Sequence, residues 1–197
     1  MRTFELNKSE KIILSVEDIS KLLSINKESA KVTANRYIQS KQLIRLKRNF
    51  YITSAKFEKL KEEEYFSLAN MMQVPSYISL TTALSYYNIT TQQTQGIIES
   101  IALKRTANIK IKNFEFKYLL IKKDLYSNFI LENKFFIAVP EKALADSIYL
   151  TSLGRYNCDF EAISFEKIDK QKVNEIIKRT NNKTKLFWQS LCKRYKI

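Results

Sequence analysis

The chain contains no histidine, which removes the side chain most often used as a general base and as a zinc ligand. Its two cysteines, Cys158 and Cys192, stand far apart, so neither a disulfide framework nor a zinc site is expected. Glycine is as scarce: Gly96 and Gly154 are the only two, too few for a glycine-rich phosphate loop. No apolar run approaches the roughly 20 residues that span a bilayer. The opening MRTFELNKSEK lacks the apolar centre of a signal peptide. These absences point to a cytoplasmic protein with no cofactor, no metal and no membrane partner, and they count against an enzyme.

What is present is a core and an excess of positive charge. At 197 residues, 45% hydrophobic and 12% aromatic, the chain can form one domain or two small ones. The net charge is +14, and it is unevenly spread. Residues 1–61 carry 14 Lys/Arg against 6 Asp/Glu, residues 62–166 carry 10 against 12, and residues 167–197 carry 10 against 2. Basic ends around a neutral centre suit a chain with two surfaces facing a polyanion. A lysine-rich composition with solvated side chains would give the same totals without a partner.

In the first sixty residues the charges fall on a frame. Ser15-Val16-Glu17-Asp18 opens a helix: the serine can accept from free first-turn amides, and the acids favour the positive end of the helix dipole. Ile19, Leu22 and Leu23 follow at helical spacing. Asn26 then caps a second helix, KESAKVTANRYIQSK, in which Ala30, Ala34, Tyr37 and Ile38 share one face. Ser29, Val32, Thr33 and Arg36 lie opposite, small residues with one arginine that make a surface able to enter a major groove and face base edges. Next, LIRLKRNFYIT reads as a β-hairpin whose tip is basic, with Asn49 suited to the left-handed backbone of the turn. A hairpin after a helix-turn-helix is a wing. Lys27, Lys31, Arg45, Lys47, Arg48 and Asn49 are then the candidate backbone contacts. The structural alternative is a hairpin that only covers the three-helix core and leaves a solvated tip.

The expected organisation is α+β: a winged helix-turn-helix over 1–55, a charged connector over 56–61, and a mixed α/β C-terminal domain over 62–197. Within the latter, helices are expected from Tyr65 to Met72 and from Ile78 to Tyr87. Strands are expected in IIESIALK, ANIKIKNFEFKYLLI and KFFIAV, and a helix in PEKALADSIYL with Pro140 just inside its start. Lys178, Arg179, Lys183, Lys185, Lys193 and Arg194 make a candidate second basic surface near the end.

With the winged helix followed by YISLTTALSYYNI (Tyr77–Ile89) and IAVPEKALADSIY (Ile137–Tyr149), the chain resembles the AbiEi family of antitoxins from abortive-infection toxin–antitoxin systems. Relatives tend to have glycine at the wing turn and after the helix of the first motif; this chain has Asn49 and Asn88, the next-best residues for a left-handed position. The resemblance implies a protein that binds inverted repeats in double-stranded DNA at its own promoter and represses the operon. It also implies a C-terminal domain that counteracts a nucleotidyltransferase-like toxin without forming a stable complex. A plain transcriptional regulator with a sensing or dimerising second domain is the alternative. A third reading is a nuclease built on Glu115-Phe116-Lys117 with Glu99 as the upstream acid. Strand alternation explains those residues equally well, and catalysis is not expected.

Overall fold

The computed structural model describes residues 3–197. Helices and two separate sheets make the chain a mixed α+β protein, divided into two compact units, Met1–Glu64 and Tyr65–Ile197. Among the described residues no helix is long and apolar enough to cross a membrane.

The first unit runs α1 (Thr3–Lys8), β1 (Leu14–Ser15), α2 (Val16–Leu22), α3 (Lys27–Gln39), β2 (Leu43–Lys47), β3 (Phe50–Thr53) and α4 (Ser54–Phe57). Its starts are set by side chains. Ser15 Oγ accepts from the amide of Asp18 at 3.1 Å while Asp18 returns a carboxylate to the amide of Ser15 at 2.9 Å, a capping box on α2. Asn26 accepts from the amide of Ser29 at 2.8 Å and so starts α3. Leu14, Ile19, Leu23, Ala30, Ala34 and Tyr51 pack together, with alanines on α3 allowing close approach. The three strands lie in the order β1-β3-β2, all antiparallel.

Residues 56–61, expected as a connector, fall within the first unit. Lys56 Nζ donates to the carbonyls of Ser9 and Lys11, the latter at 2.8 Å, and Phe57 is 1% exposed. The lysines and glutamates around Phe57 make the segment look like solvated linker. The Lys56 bonds tie it to residues of the first unit. The boundary lies at Glu64–Tyr65.

The second unit follows α5 (Glu62–Met72) with β4 (Ser76–Ile78), α6 (Leu80–Tyr86), β5 (Ile97–Ala102), β6 (Ala107–Ile111), β7 (Phe114–Leu120), β8 (Phe129–Glu132), β9 (Phe135–Ala138), α7 (Pro140–Ser152), α8 (Lys170–Lys178) and α9 (Asn182–Tyr195). Its strands form one sheet in the order β6-β7-β5-β4-β9-β8, with β5/β7 and β4/β9 parallel and the other pairs antiparallel. Gly96 is required before β5: at φ 71° a Cβ there would sit 2.6 Å from the carbonyl oxygen of Asn113. Two expectations need correction. Ser76–Ile78 is a strand between β5 and β9, so the helix starts at Leu80, and β8 is an additional strand. Apolar runs this short fit either state, and only their neighbours decide.

Candidate nucleic-acid interface

Helix α3 has two faces of opposite character. Ala30 and Ala34 are fully buried, whereas Ser29, Val32 and Arg36 are exposed, Val32 by 51%, and Thr33 is half-buried at the margin. An apolar side chain left half in water among small polar neighbours has no role in the core of its own unit. Asn35 is exposed beside them. A side-chain amide of this kind can pair with an adenine edge.

Lys27 and Lys31 do not join this face. At 100° per residue they lie about 180° and 140° around the helix from Arg36. Lys27 pairs with Glu17 of α2, and Lys31 pairs with Glu28 at 2.9 Å. These exposed pairs are weak. They set the Lys27 ammonium beside α2 and the Lys31 ammonium beside the first turn of α3.

The hairpin is built as its sequence suggests. Arg45 stands opposite Tyr51 and Lys47 opposite Phe50, with a register shift between Arg45 and Lys47 and a two-residue turn at Arg48-Asn49. Asn49 sits at φ 65°, the left-handed region expected of it. Arg45, Lys47, Arg48 and Asn49 are all exposed, and the ammonium of Lys47 lies 4.8 Å from the centre of the Phe50 ring.

The second basic cluster divides. Lys178 and Arg179 end α8, and Lys183 and Lys185 begin α9 across a short turn. Lys193 and Arg194 lie in the last turn of α9, roughly 15 Å along the axis from Lys183. Arg194 donates to Glu161 at 2.6 Å, and Arg179 shares a small cleft with Glu141, Lys172 and Glu175.

In the second unit, the stretches Tyr77–Ile89 and Ile137–Tyr149 meet at Asp146. Its Oδ2 accepts from Tyr77 OH and from Ser79 Oγ, each at 2.9 Å, and its Oδ1 accepts from Lys142 Nζ at 2.6 Å. Lys142 Nζ also donates to the carbonyl of Leu125 at 2.7 Å, and the whole group is buried. This network secures an unusual junction. Leu80, a buried non-glycine residue, opens α6 at φ 57°. Such backbone persists only where its surroundings hold it. Besides Asp146, the Glu99 carbonyl accepts from the amide of Ser79 at 3.0 Å and Glu99 Oε2 accepts from the amide of Thr81 at 3.1 Å.

Glu99, Glu115 and Lys117 do come to one face of the sheet, with Glu99 opposite Lys117 in the parallel β5/β7 ladder. Burial pushes the Glu99 carboxyl up, against the Tyr156 hydroxyl and nearby Lys117, which lower it. Glu115 accepts from Asn108 and lies 3.9 Å from both Lys110 and Lys117. Among the described residues no group of three or more His, Cys, Asp or Glu side chains is placed to hold a metal ion.

No protein-family model matches the chain, and no curated protein does. Among solved structures it resembles the crystal structure of the RV2827C protein from Mycobacterium tuberculosis. That likeness has a TM-score of 0.58 and 8% sequence identity, and covers 92% of this chain and 71% of that one. At such identity it concerns the fold alone.

Proposed function

We propose that the first unit is a winged helix-turn-helix that binds double-stranded DNA, with α3 in the major groove and the β2–β3 hairpin as the wing. Ser29, Val32, Thr33 and Arg36 face base edges, while Arg45, Lys47, Arg48 and Asn49 hold the phosphate backbone. The observation that carries the reading is the half-exposed Val32 beside Ser29 and Arg36, opposite buried Ala30 and Ala34. A valine in this position suits a thymine methyl, and the arginine suits a guanine. The resemblance at Tyr77–Ile89 and Ile137–Tyr149 extends the proposal to the whole chain. It is the antitoxin of an AbiE-like toxin–antitoxin system, repressing its own operon at inverted repeats and counteracting a nucleotidyltransferase toxin without a stable complex.

Binding isotherms at several salt concentrations, on the promoter repeats and on scrambled duplexes, test the DNA half. Arg36→Ala lowers discrimination between the two by roughly 1–3 kcal/mol. Lys47→Ala with Arg48→Ala weakens binding to every duplex and reduces the salt slope by about 2. If both variants bind as the parent does, the proposed mode is wrong. The antitoxin half is tested by co-expression with the product of an adjacent nucleotidyltransferase gene, where growth is expected to be restored.

A further inference from the structure

The sheet of the second unit ends in two strands, β6 and β8, whose open edges differ in kind. An end strand offers unpaired N–H and C=O groups to any extended chain, and proteins commonly guard such an edge with lysine. The β6 end is guarded: Lys110 is exposed on the strand, and Lys104, Arg105 and Lys112 are exposed around it. The β8 strand, Phe129-Ile130-Leu131-Glu132, carries no cation. Leu131 is 65% exposed and Ile130 45%. Phe136, opposite Leu131 on β9, adds an exposed ring to the same face.

The ladder with β9 fixes which main-chain groups look outward. The Val139 amide donates to the Asn128 carbonyl at 3.1 Å, so alternate residues, Asn128, Ile130 and Glu132, turn their backbone groups toward that hairpin partner. The amides and carbonyls of Phe129 and Leu131 point the other way, off the edge of the sheet. Those groups call for a second strand, and the side chains beside them call for an apolar one.

This edge is complementary to itself. Antiparallel pairing of Phe129 with Leu131 of a second copy, and of Leu131 with its Phe129, joins the outward groups in four hydrogen bonds. Ile130 then meets Ile130 of the second copy on the two-fold axis. Glu132, the one charge of the strand, falls opposite Asn128 of the second copy, so no like charges oppose each other. Two other registers also join outward groups. Centring the pair on Leu131 sets Glu132 against Ile130, and centring it on Phe129 sets Leu131 against Ser127. Only the register centred on Ile130 puts apolar side chains on apolar ones.

We propose that β8 pairs antiparallel with β8 of a second copy of this chain, making a two-fold dimer with one sheet running through the axis. Four residues a side are far fewer than the roughly 20–30 of a standard interface, so the dissociation constant is expected to be on the order of 0.1 mM. The net charge of +14 on each chain opposes association at low salt. A two-fold pair also suits inverted repeats. The dimer does not rest on the DNA-binding reading, and its test contains no DNA.

Sedimentation equilibrium of the full-length chain, in reductant and about 0.3 M salt, is expected to show the mass rising toward two chains between about 0.01 and 0.5 mM. Leu131→Lys guards the edge and is expected to weaken association about tenfold or more, with an unchanged circular dichroism spectrum. Cysteine cross-linking reads the register. Directly opposed Cα atoms at a pair of this type lie about 4.5 Å apart, within disulfide range, whereas the two Leu131 positions are offset beyond about 7 Å. On mild oxidation Ile130→Cys is therefore expected to form covalent dimers faster than the parent, than Leu131→Cys, and than Leu186→Cys, an exposed position on α9 that reports random collision. A single-chain mass throughout the range overturns the proposal, as does unchanged association in folded Leu131→Lys. So does cross-linking of Ile130→Cys no faster than that of the controls, which would leave the β8 edge to a strand of some other protein.

Discussion

Asp18 shows how much one side chain can do in a small unit. Burial raises its carboxyl pKa, but donation from Lys11 at 2.6 Å and from the Ser15 amide and hydroxyl outweigh this and hold it at about 2, against 3.8 for a free aspartate. A carboxyl lowered on folding gives stability that is complete above the free value and lost as pH falls through the folded one. Asp18→Asn is therefore expected to destabilise the first unit at pH 7 by roughly 1–2 kcal/mol, discounted because Lys11 is exposed. The difference from the parent should disappear between about pH 4 and pH 2. Urea midpoints at several pH values check this, and a difference independent of pH would show that the capping charge is irrelevant. Asp146 works at the opposite extreme, in full burial. Asp146→Ala leaves a buried ammonium unpaired and two hydroxyls without their acceptor, so a loss of roughly 3–5 kcal/mol is expected. Lys142→Met with Asp146→Leu removes the charges together and should cost less. A thermal melt of both variants separates them; equal losses would place the importance of Asp146 in the Tyr77 and Ser79 bonds alone.

At the scale of elements, α9 places its charges against its own stability. Lys183 and Lys185 sit in its first turn, where the helix dipole disfavours cations, while Lys193 and Arg194 sit where it favours them. Helix stability accounts for the second pair and not for the first. If the first pair, with Lys178 and Arg179, faces a polyanion, replacing those four by glutamine lowers the salt slope of full-length DNA binding or weakens toxin neutralisation. The Lys193→Gln, Arg194→Gln variant leaves both unchanged, because Arg194 already pairs with Glu161. Isotherms over a salt series decide. Equal effects from the two sets would mean that only total charge matters.

At the scale of the molecule, the two proposed activities belong to separate compact units. A fragment ending before Glu62 keeps the first unit's core and leaves α5 whole in the remainder. The shorter fragment is expected to bind DNA, more weakly than the intact chain, since a core of this size is marginal. The fragment from Glu62 onward is expected to restore growth against the toxin without repressing a promoter reporter. Circular dichroism must show both folded. A folded second fragment that gives no rescue, beside an intact chain that does, would tie neutralisation to DNA binding.

The sequence alone was enough for features set within a few residues. Ser15 and Asn26 as caps, Asn49 in a left-handed turn, the two faces of α3 and Pro140 at the start of α7 all depend on local backbone chemistry and a helical period. It was not enough where distant segments decide. Ser76–Ile78 became a strand because β5 and β9 flank it, and the supposed connector falls within the first unit, where Lys56 bonds to Ser9 and Lys11. The partners of Asp146 are Lys142 one turn earlier and, from far along the chain, Tyr77 and Ser79. Periodicity and capping are written in neighbouring residues; burial, register and the pairing of charges across elements exist only once the chain has closed on itself.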